Sequence, residues 1–389
     1  MINREEIRQL AQIESPSGCA ISFYFQPETP QDGSHRQETI LLKDLVREAL
    51  RRAERSGNHA ALREDLAKIL QISETLHGNH SRGKAIFACS GQGIWRELDL
   101  PARLGRSQII VNSRFHLRPL VQAQAALPAT CIALVDRKKA RIFELRDDEI
   151  LQKPDLEFDE ALRKPRSDGF GGYEAGHRER HIENQVMQNF KQFAESLLML
   201  NNRDKFEALL IGCRDETWPE IEPHLHSSLK QILRGRFPVD PMVAGADEVR
   251  EQAERTLGEL LLSEKEALVR EVMGEAQRNA RGAVGLRHVL NALERQEVQT
   301  LLIGRDFQAE AVECTNCRHL DTRMVKSCAV CQHETRELSD VSDALVDLAI
   351  RNGAEIKFID TDAELEKSGH VGALLRFRAD QNTAEKMAV

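Results

Sequence analysis

Four of the eight cysteines form one cluster, ECTNCRHLDTRMVKSCAVCQH, in which Cys314 and Cys317 make one Cys-x-x-Cys pair and Cys328 and Cys331 another, ten residues further on. Two residues between cysteines let each pair fold into a tight knuckle with both thiolates aimed inward. Two facing knuckles give a tetrahedral sulfur site suited to zinc. With all four positions filled by protein, such a metal is structural and has no open place for a reactant. The arm between the pairs, with Thr322, Met324 and Val325, is long enough for a β-hairpin, so the spacing predicts a zinc ribbon over residues 312–333. The competing readings are a degenerate site without metal and a redox pair. The start of the chain, MINREEIRQLAQIES, has no signal-peptide apolar region, which favours metal over disulfides.

A second candidate is the loop RKPRSDGFGGYEAGHRERH, residues 163–181. Gly169, Gly171, Gly172 and Gly176 permit positive φ and close approach to a partner. Arg163, Lys164 and Arg166 flank the glycines on one side, and His177, Arg178 and Arg180 on the other. Such a loop can track an RNA backbone, where phosphate charge dominates affinity; the plainer reading is a solvated surface loop. Asp136 and Asp215 each follow a predicted strand and are the weakest candidate, as ligands of a divalent ion. GFGG has no phosphate-loop lysine, and neither a Ser-His-Asp arrangement nor a dinucleotide fingerprint is present.

The elements that must position these residues read as α/β throughout. Strand patterns stand at 19–25, 84–89, 94–98 and 108–112, with a helical stripe of Leu41, Leu42, Leu45, Val46 and Ala49 between the first two. A hairpin-like pair, ATCIALVD and ARIFEL, opens a second segment. A long helix there carries Ile182, Val186, Phe190, Phe193 and Leu197 on one face, and the buried strand EALLIG follows it. A charged helical stretch over 246–281 leads to a third segment with a helix near 285–296, the strand VQTLLIG, the cysteine cluster, a helix near 339–352 and the strands EIKFID and HVGALLRFRAD. We therefore expect three α/β domains, at 1–126, 127–262 and 263–389, the third interrupted by the ribbon. The other four cysteines, Cys19, Cys89, Cys131 and Cys213, sit in apolar stretches as small buried hydrophobes. The chain of 389 residues has a net charge of −8, which excludes a simple duplex-binding protein with a basic field. No apolar run spans a bilayer, and the cytoplasm is the expected location.

This order of parts resembles the archaeal and eukaryotic class-1 peptide chain release factors and their relative Pelota, in a divergent bacterial branch. NALERQEVQTLLIG, the cysteine insertion, ALVDLAIRNGAEIKFID and GHVGALLRFRAD are similar to the family's third domain in sequence and order. ATCIALVDRKKARIFEL resembles the opening of its middle domain, and RSQIIVNSRFHLRPLVQA the end of its first. The resemblance implies a three-domain factor that enters the ribosomal A site. Its first domain would approach the decoding centre. Its middle domain would direct a Gly-Gly-Gln loop at the peptidyl transferase centre, where peptidyl-tRNA is hydrolysed, and its third would meet a translational GTPase.

Two departures shape the expectation. Gly171, Gly172 and Tyr173 stand where Gly-Gly-Gln would lie, and PETPQDGSHRQETILLKD contains no Asn-Ile-Lys-Ser motif of the kind used on stop codons. The first reading is therefore a ribosome-binding factor of rescue or hibernation, similar to the Balon type, with ribosomal RNA and P-site tRNA as partners. The alternatives are a peptidyl-tRNA hydrolase acting in peptide release, and an RNA-binding or adaptor protein that never meets the A site.

Overall fold

The computed structural model describes residues 4–15, 18–26, 36–54, 60–73, 83–100, 107–124, 128–146, 149–154, 156–157 and 172–378. The chain divides into two compact units, one of residues 1–125 with 264–389 and the other of residues 126–263.

The first stretch holds α1 (Arg4–Gln12), β1 (Ala20–Phe25), α2 (Arg36–Glu54), α3 (Ala60–Ser73), β2 (Gly83–Cys89), β3 (Ile94–Leu100), β4 (Gln108–Asn112) and α4 (Arg118–Gln124). Its sheet is antiparallel in the order β3-β2-β1-β4. Successive side chains of a strand point to opposite faces, and β1 is buried on both. Ile21, Phe23 and Phe25 pack with Leu42, Val46, Leu62, Leu66 and Ile69 of α2 and α3. Ala20 and Tyr24 share the opposite core with Ile7 and Leu10 of α1 and with residues of the last third of the chain. Leu41, placed on the apolar stripe from sequence, is instead 45% exposed.

The second unit contains β5 (Thr130–Val135), β6 (Lys139–Arg146), β7 (Glu149–Gln152), β8 (Leu156–Glu157), α5 (Gly172–Asp204), β9 (Ala208–Gly212), α6 (Trp218–Ile221), α7 (Ser227–Ile232), β10 (Leu233–Phe237) and the first part of α8 (Ala246–Gln277). Strands β5, β9 and β10 are parallel, while β6 and β7 continue the sheet antiparallel. Cys131, Ala133 and Val135 face the α5 side, where Val186, Phe190, Phe193 and Leu197 are buried. Ile132 and Leu134 face Val249, Ala253 and Leu257 of α8. The two helices thus cover opposite faces of one sheet, which is why its central strands read as continuous apolar runs.

The remaining part of the first unit adds β11 (Gly282–Val284), α9 (Leu286–Glu294), β12 (Val298–Gly304), β13 (Ala311–Cys314), β14 (Leu320–Asp321), β15 (Thr335–Leu338), α10 (Ser342–Arg351), β16 (Glu355–Ile359), α11 (Ala363–Lys367) and β17 (Val371–Leu375). Its main sheet runs β11-β17-β12-β16, and a separate sheet β14-β13-β15 is inserted between β12 and α10. Among the described residues no helix is long and apolar enough to cross a membrane.

Strand β11 lies so close to α8 that only glycine fits at its start: a Cβ on Gly282 would stand 2.2 Å from the Ala276 nitrogen and 2.4 Å from the Val272 oxygen. Backbone cannot yield as a side-chain tip can. Gly282→Ala should therefore cost about 3 kcal/mol or more. Gly274→Ala, on α8 with open space around the new methyl, should gain about 0.5–1 kcal/mol through helix propensity. Urea unfolding of the two variants checks both signs.

Candidate metal centre

The inserted sheet presents the four cysteines. Cys314 ends β13, and the turn after it returns through Leu320–Asp321 to pair with Val312 and Glu313. The second pair sits on a turn closed by a bridge between Ser327 and Glu334, after which β15 pairs with β13. The knuckles are built alike. The Arg318 nitrogen donates to the Cys314 carbonyl at 3.2 Å, and the Gln332 nitrogen to the Cys328 carbonyl at 3.0 Å. The Cys314 nitrogen donates to His319 O at 2.9 Å, and the Cys328 nitrogen to His333 O at 2.8 Å. Arg318 and Gln332 both take a left-handed φ of 65°, which turns each chain sharply back beneath its sulfurs. The arm between the knuckles differs from the expected hairpin. Its only strand is the two-residue β14, and Met324 is 51% exposed, because the strand that completes the sheet comes from beyond the second knuckle.

All four Sγ atoms lie within 4.8 Å of one another. Cys314 to Cys331 is 3.4 Å, Cys317 to Cys328 3.5 Å and Cys317 to Cys331 3.3 Å. These separations are too long for a disulfide, at about 2.05 Å. They approach the edge of a tetrahedron with metal–sulfur bonds of about 2.3 Å, which is about 3.8 Å. Backbone N–H groups point at the sulfurs: Asn316 and Cys317 donate to Cys314 Sγ at 3.4 Å, and Val330 to Cys328 Sγ at 3.3 Å. Such donors stabilise thiolate. The thiols titrate unequally. The His333 N–H holds Cys331 down to about 5. At Cys317 the His319 N–H acts in the same sense, but desolvation and the hydrogen bonds with Cys331, Cys328 and Cys314 outweigh it and push the thiol up to about 12. Neighbouring negative charges oppose further ionisation, so a full set of thiolates requires a cation among them. The donor set therefore fits a metal ion, and the four residues could hold one.

The knuckles are also tied outward. Glu294 on α9 receives the Leu320 nitrogen at 3.2 Å and meets His319 Nδ1 at 2.7 Å. Glu313, directly before Cys314, is 2% exposed and pairs with Arg336, Arg114 and Arg318. The sequence reading missed this charge cluster. A carboxylate within the otherwise apolar strand AVEC is the one local signal of it, since a buried charge demands a partner.

The other candidates fall elsewhere. Arg163, Lys164, Arg166 and Gly171 lie outside the described residues, as does segment 27–35, most of the turn-rich stretch after the first strand. Gly172, Tyr173, His177, Arg178 and Arg180 stand in the opening turns of α5, which starts ten residues before the apolar stripe at Ile182; Arg180 is exposed. Asp136 and Asp215 follow the parallel neighbours β5 and β9, but Asp136 accepts from the Arg137 nitrogen at 2.7 Å and Asp215 pairs with Arg236 at 3.4 Å. Among the described residues only the four cysteines form a group able to hold a metal. Cys19, Cys89, Cys131 and Cys213 are buried and form no disulfide, and burial raises the thiols of Cys131 and Cys213.

The protein as isolated should carry one metal ion per chain, measured by elemental analysis. Cys328→Ser should lower that content to below about a tenth, since a tetrahedral sulfur site tolerates loss of a ligand poorly. Full retention would contradict the assignment.

Comparison with known proteins bears on the whole chain. Residues 116–257 match the family model "Bacterial archaeo-eukaryotic release factor family 10". Peptide chain release factor subunit 1 of Thermococcus onnurineus is 27% identical over 409 aligned positions, covering 96% of this chain and 94% of the relative. The corresponding protein of Archaeoglobus fulgidus is 26% identical over 290, covering 69% of this chain and 70% of its own. The crystal structure of Archaeoglobus fulgidus Pelota aligns over 97% of this chain and 93% of that one, at 13% identity and a TM-score of 0.36, a likeness too low to support a functional argument. The resemblance read from the sequence holds: the chain is similar to the archaeal class-1 release factors over most of its length, and its middle third matches the bacterial release factor family 10.

Proposed function

We propose that the protein binds the ribosomal A site as a rescue or hibernation factor, carrying its Gly171-Gly172-Tyr173 segment toward the peptidyl transferase centre. One observation supports the reading: the chain aligns over 96% of its length with a peptide chain release factor, and we read its Gly171-Gly172-Tyr173 as the counterpart of that family's Gly-Gly-Gln. Binding is thus kept while the group that helps water reach the peptidyl-tRNA ester is replaced. A tyrosine ring is bulkier than a carboxamide, and hydrolysis of this kind depends on placement to about 1 Å.

In this reading the three sequence segments act as three domains, the first facing the decoding centre and the third a translational GTPase. Arg163, Lys164, Arg166, His177, Arg178 and Arg180 contact phosphates, and Gly171 and Gly172 allow the backbone close to ribosomal RNA. Tyr173 stacks on an unpaired base or on the end of the P-site tRNA, as aromatic rings do on splayed nucleotides. The acidic remainder, at a net charge of −8, makes binding depend on shape and not on charge alone. Cys314, Cys317, Cys328 and Cys331 hold a structural zinc, which when bound supplies rigidity to the ribbon and no reactive position. The working location is the cytoplasm.

Sedimentation with ribosomes from growing and starved cells tests the reading. Co-sedimentation is expected in at least one state, and absence from both contradicts it. Replacing Arg163, Lys164, Arg166, Arg178 and Arg180 by glutamine should flatten the dependence of log K on log salt by about four, at about 0.7–0.9 per phosphate contact. An unchanged slope removes this footprint. Release of labelled peptide from stalled ribosomes, abolished by changing Gly171 and Gly172, would favour the hydrolase reading instead.

A further inference from the structure

The first cysteine knuckle is bracketed in sequence by two charges, Glu313 before it and Arg318 after its second cysteine. Both reach residues of the first stretch of the chain. Arg318 pairs with Glu14 and lies 3.7 Å from Glu313. Arg114 stands among three carboxylates, 3.3 Å from Glu14, 3.4 Å from Glu313 and 3.0 Å from Asp347 on α10. Arg351, one helical turn after Asp347, donates to the Ala11 carbonyl at the end of α1 at 2.9 Å. These ion pairs rim an apolar contact in which α1 packs on α10.

The rim is physically fragile in one place. Glu313 and Asp347 are 2% and 6% exposed, and buried carboxylates persist only while their guanidinium partners stay in place. Arg318 holds a left-handed φ although it is not glycine, a conformation that lasts only where its surroundings impose it. Here the imposing surroundings are the knuckle itself, whose two sulfurs and the two of the facing knuckle repel one another as thiolates unless a cation lies between them.

We infer that the first knuckle is a metal-dependent clasp that fastens residues 4–15 and 113–124 to the C-terminal part of the same unit through Glu313 and Arg318. The inference rests on the metal reading of the four cysteines. Loss of the ion frees the knuckle, Arg318 leaves Glu14, and Arg114 retains only Glu14 and Asp347. The apolar contact of α1 with α10 remains, so the joint loosens without parting.

Hydrogen exchange on the full chain, with metal content measured on the same samples, tests the clasp. Chelation should raise exchange within α1 and α10 by about fivefold or more, the counterpart of losing a partly exposed ion pair. Arg318→Gln should do the same while one metal per chain is retained. Faster exchange confined to residues 311–338 after chelation overturns the clasp, as does an Arg318→Gln protein with full metal and unchanged α1 and α10. If chelation unfolds the whole chain, the metal-loaded variant decides alone. A chain that holds no metal as isolated and takes up none from added zinc overturns the metal reading and the clasp together. A metal-loaded chain without the spread of exchange overturns the clasp only.

Discussion

Four thiols held within 4.8 Å of one another cannot all give up their protons unless a cation shares the space between them. That constraint organises the ribbon. It explains why two knuckles with matching hydrogen bonds turn back on themselves at non-glycine residues, and why backbone N–H groups converge on Cys314 and Cys328. It also explains how a sheet of strands only two to four residues long keeps its shape with Val330 and Met324 exposed. A sheet that small has little core of its own, and short scaffolds need a covalent or metal staple to make up the difference.

The same constraint extends into the surrounding unit through neighbours in sequence. Glu294 takes the far side of the first knuckle, and Glu313 and Arg318 take the near side. The knuckle is thus gripped from α9 and from the first stretch of the chain. Apolar packing supplies most of the affinity between these parts, as Ile7, Leu10, Leu345 and Ala349 in one core indicate. The ion pairs contribute direction: Arg114 meets carboxylates from residues 14, 313 and 347 at once.

Much of this was legible in the residues. Runs such as ATCIALVD, VQTLLIG and QIIVN combine β-branched residues with flanking turn signals, and the corresponding strands follow the sequence within a residue or so. The cysteine spacing needs no tertiary information, because each Cys-x-x-Cys pair is a local turn. The strand LRGRF was hidden: its arginines and glycine make no apolar run, and its pairing with β9 comes from a segment more than twenty residues away. The early start of α5 was hidden too, since its first turns carry no apolar stripe and two glycines. Helix α3 lay unnoticed between turn-rich segments. The charge cluster around Arg114 could not be found by any local pattern, because its members come from residues 14, 114, 313, 318 and 347.

The functional claim depends on where the Gly171-Gly172-Tyr173 tip travels. In the proposed reading that segment belongs to a ribosome-binding factor, and the tyrosine would separate binding from the chemistry of release. The most direct measurement is a cryo-EM map of the full chain on a ribosome bearing a P-site tRNA. The account predicts density for Tyr173 beside the tRNA end within the large-subunit catalytic centre. A map with the chain bound outside the A site, or with that tip turned away from the catalytic centre, would contradict it.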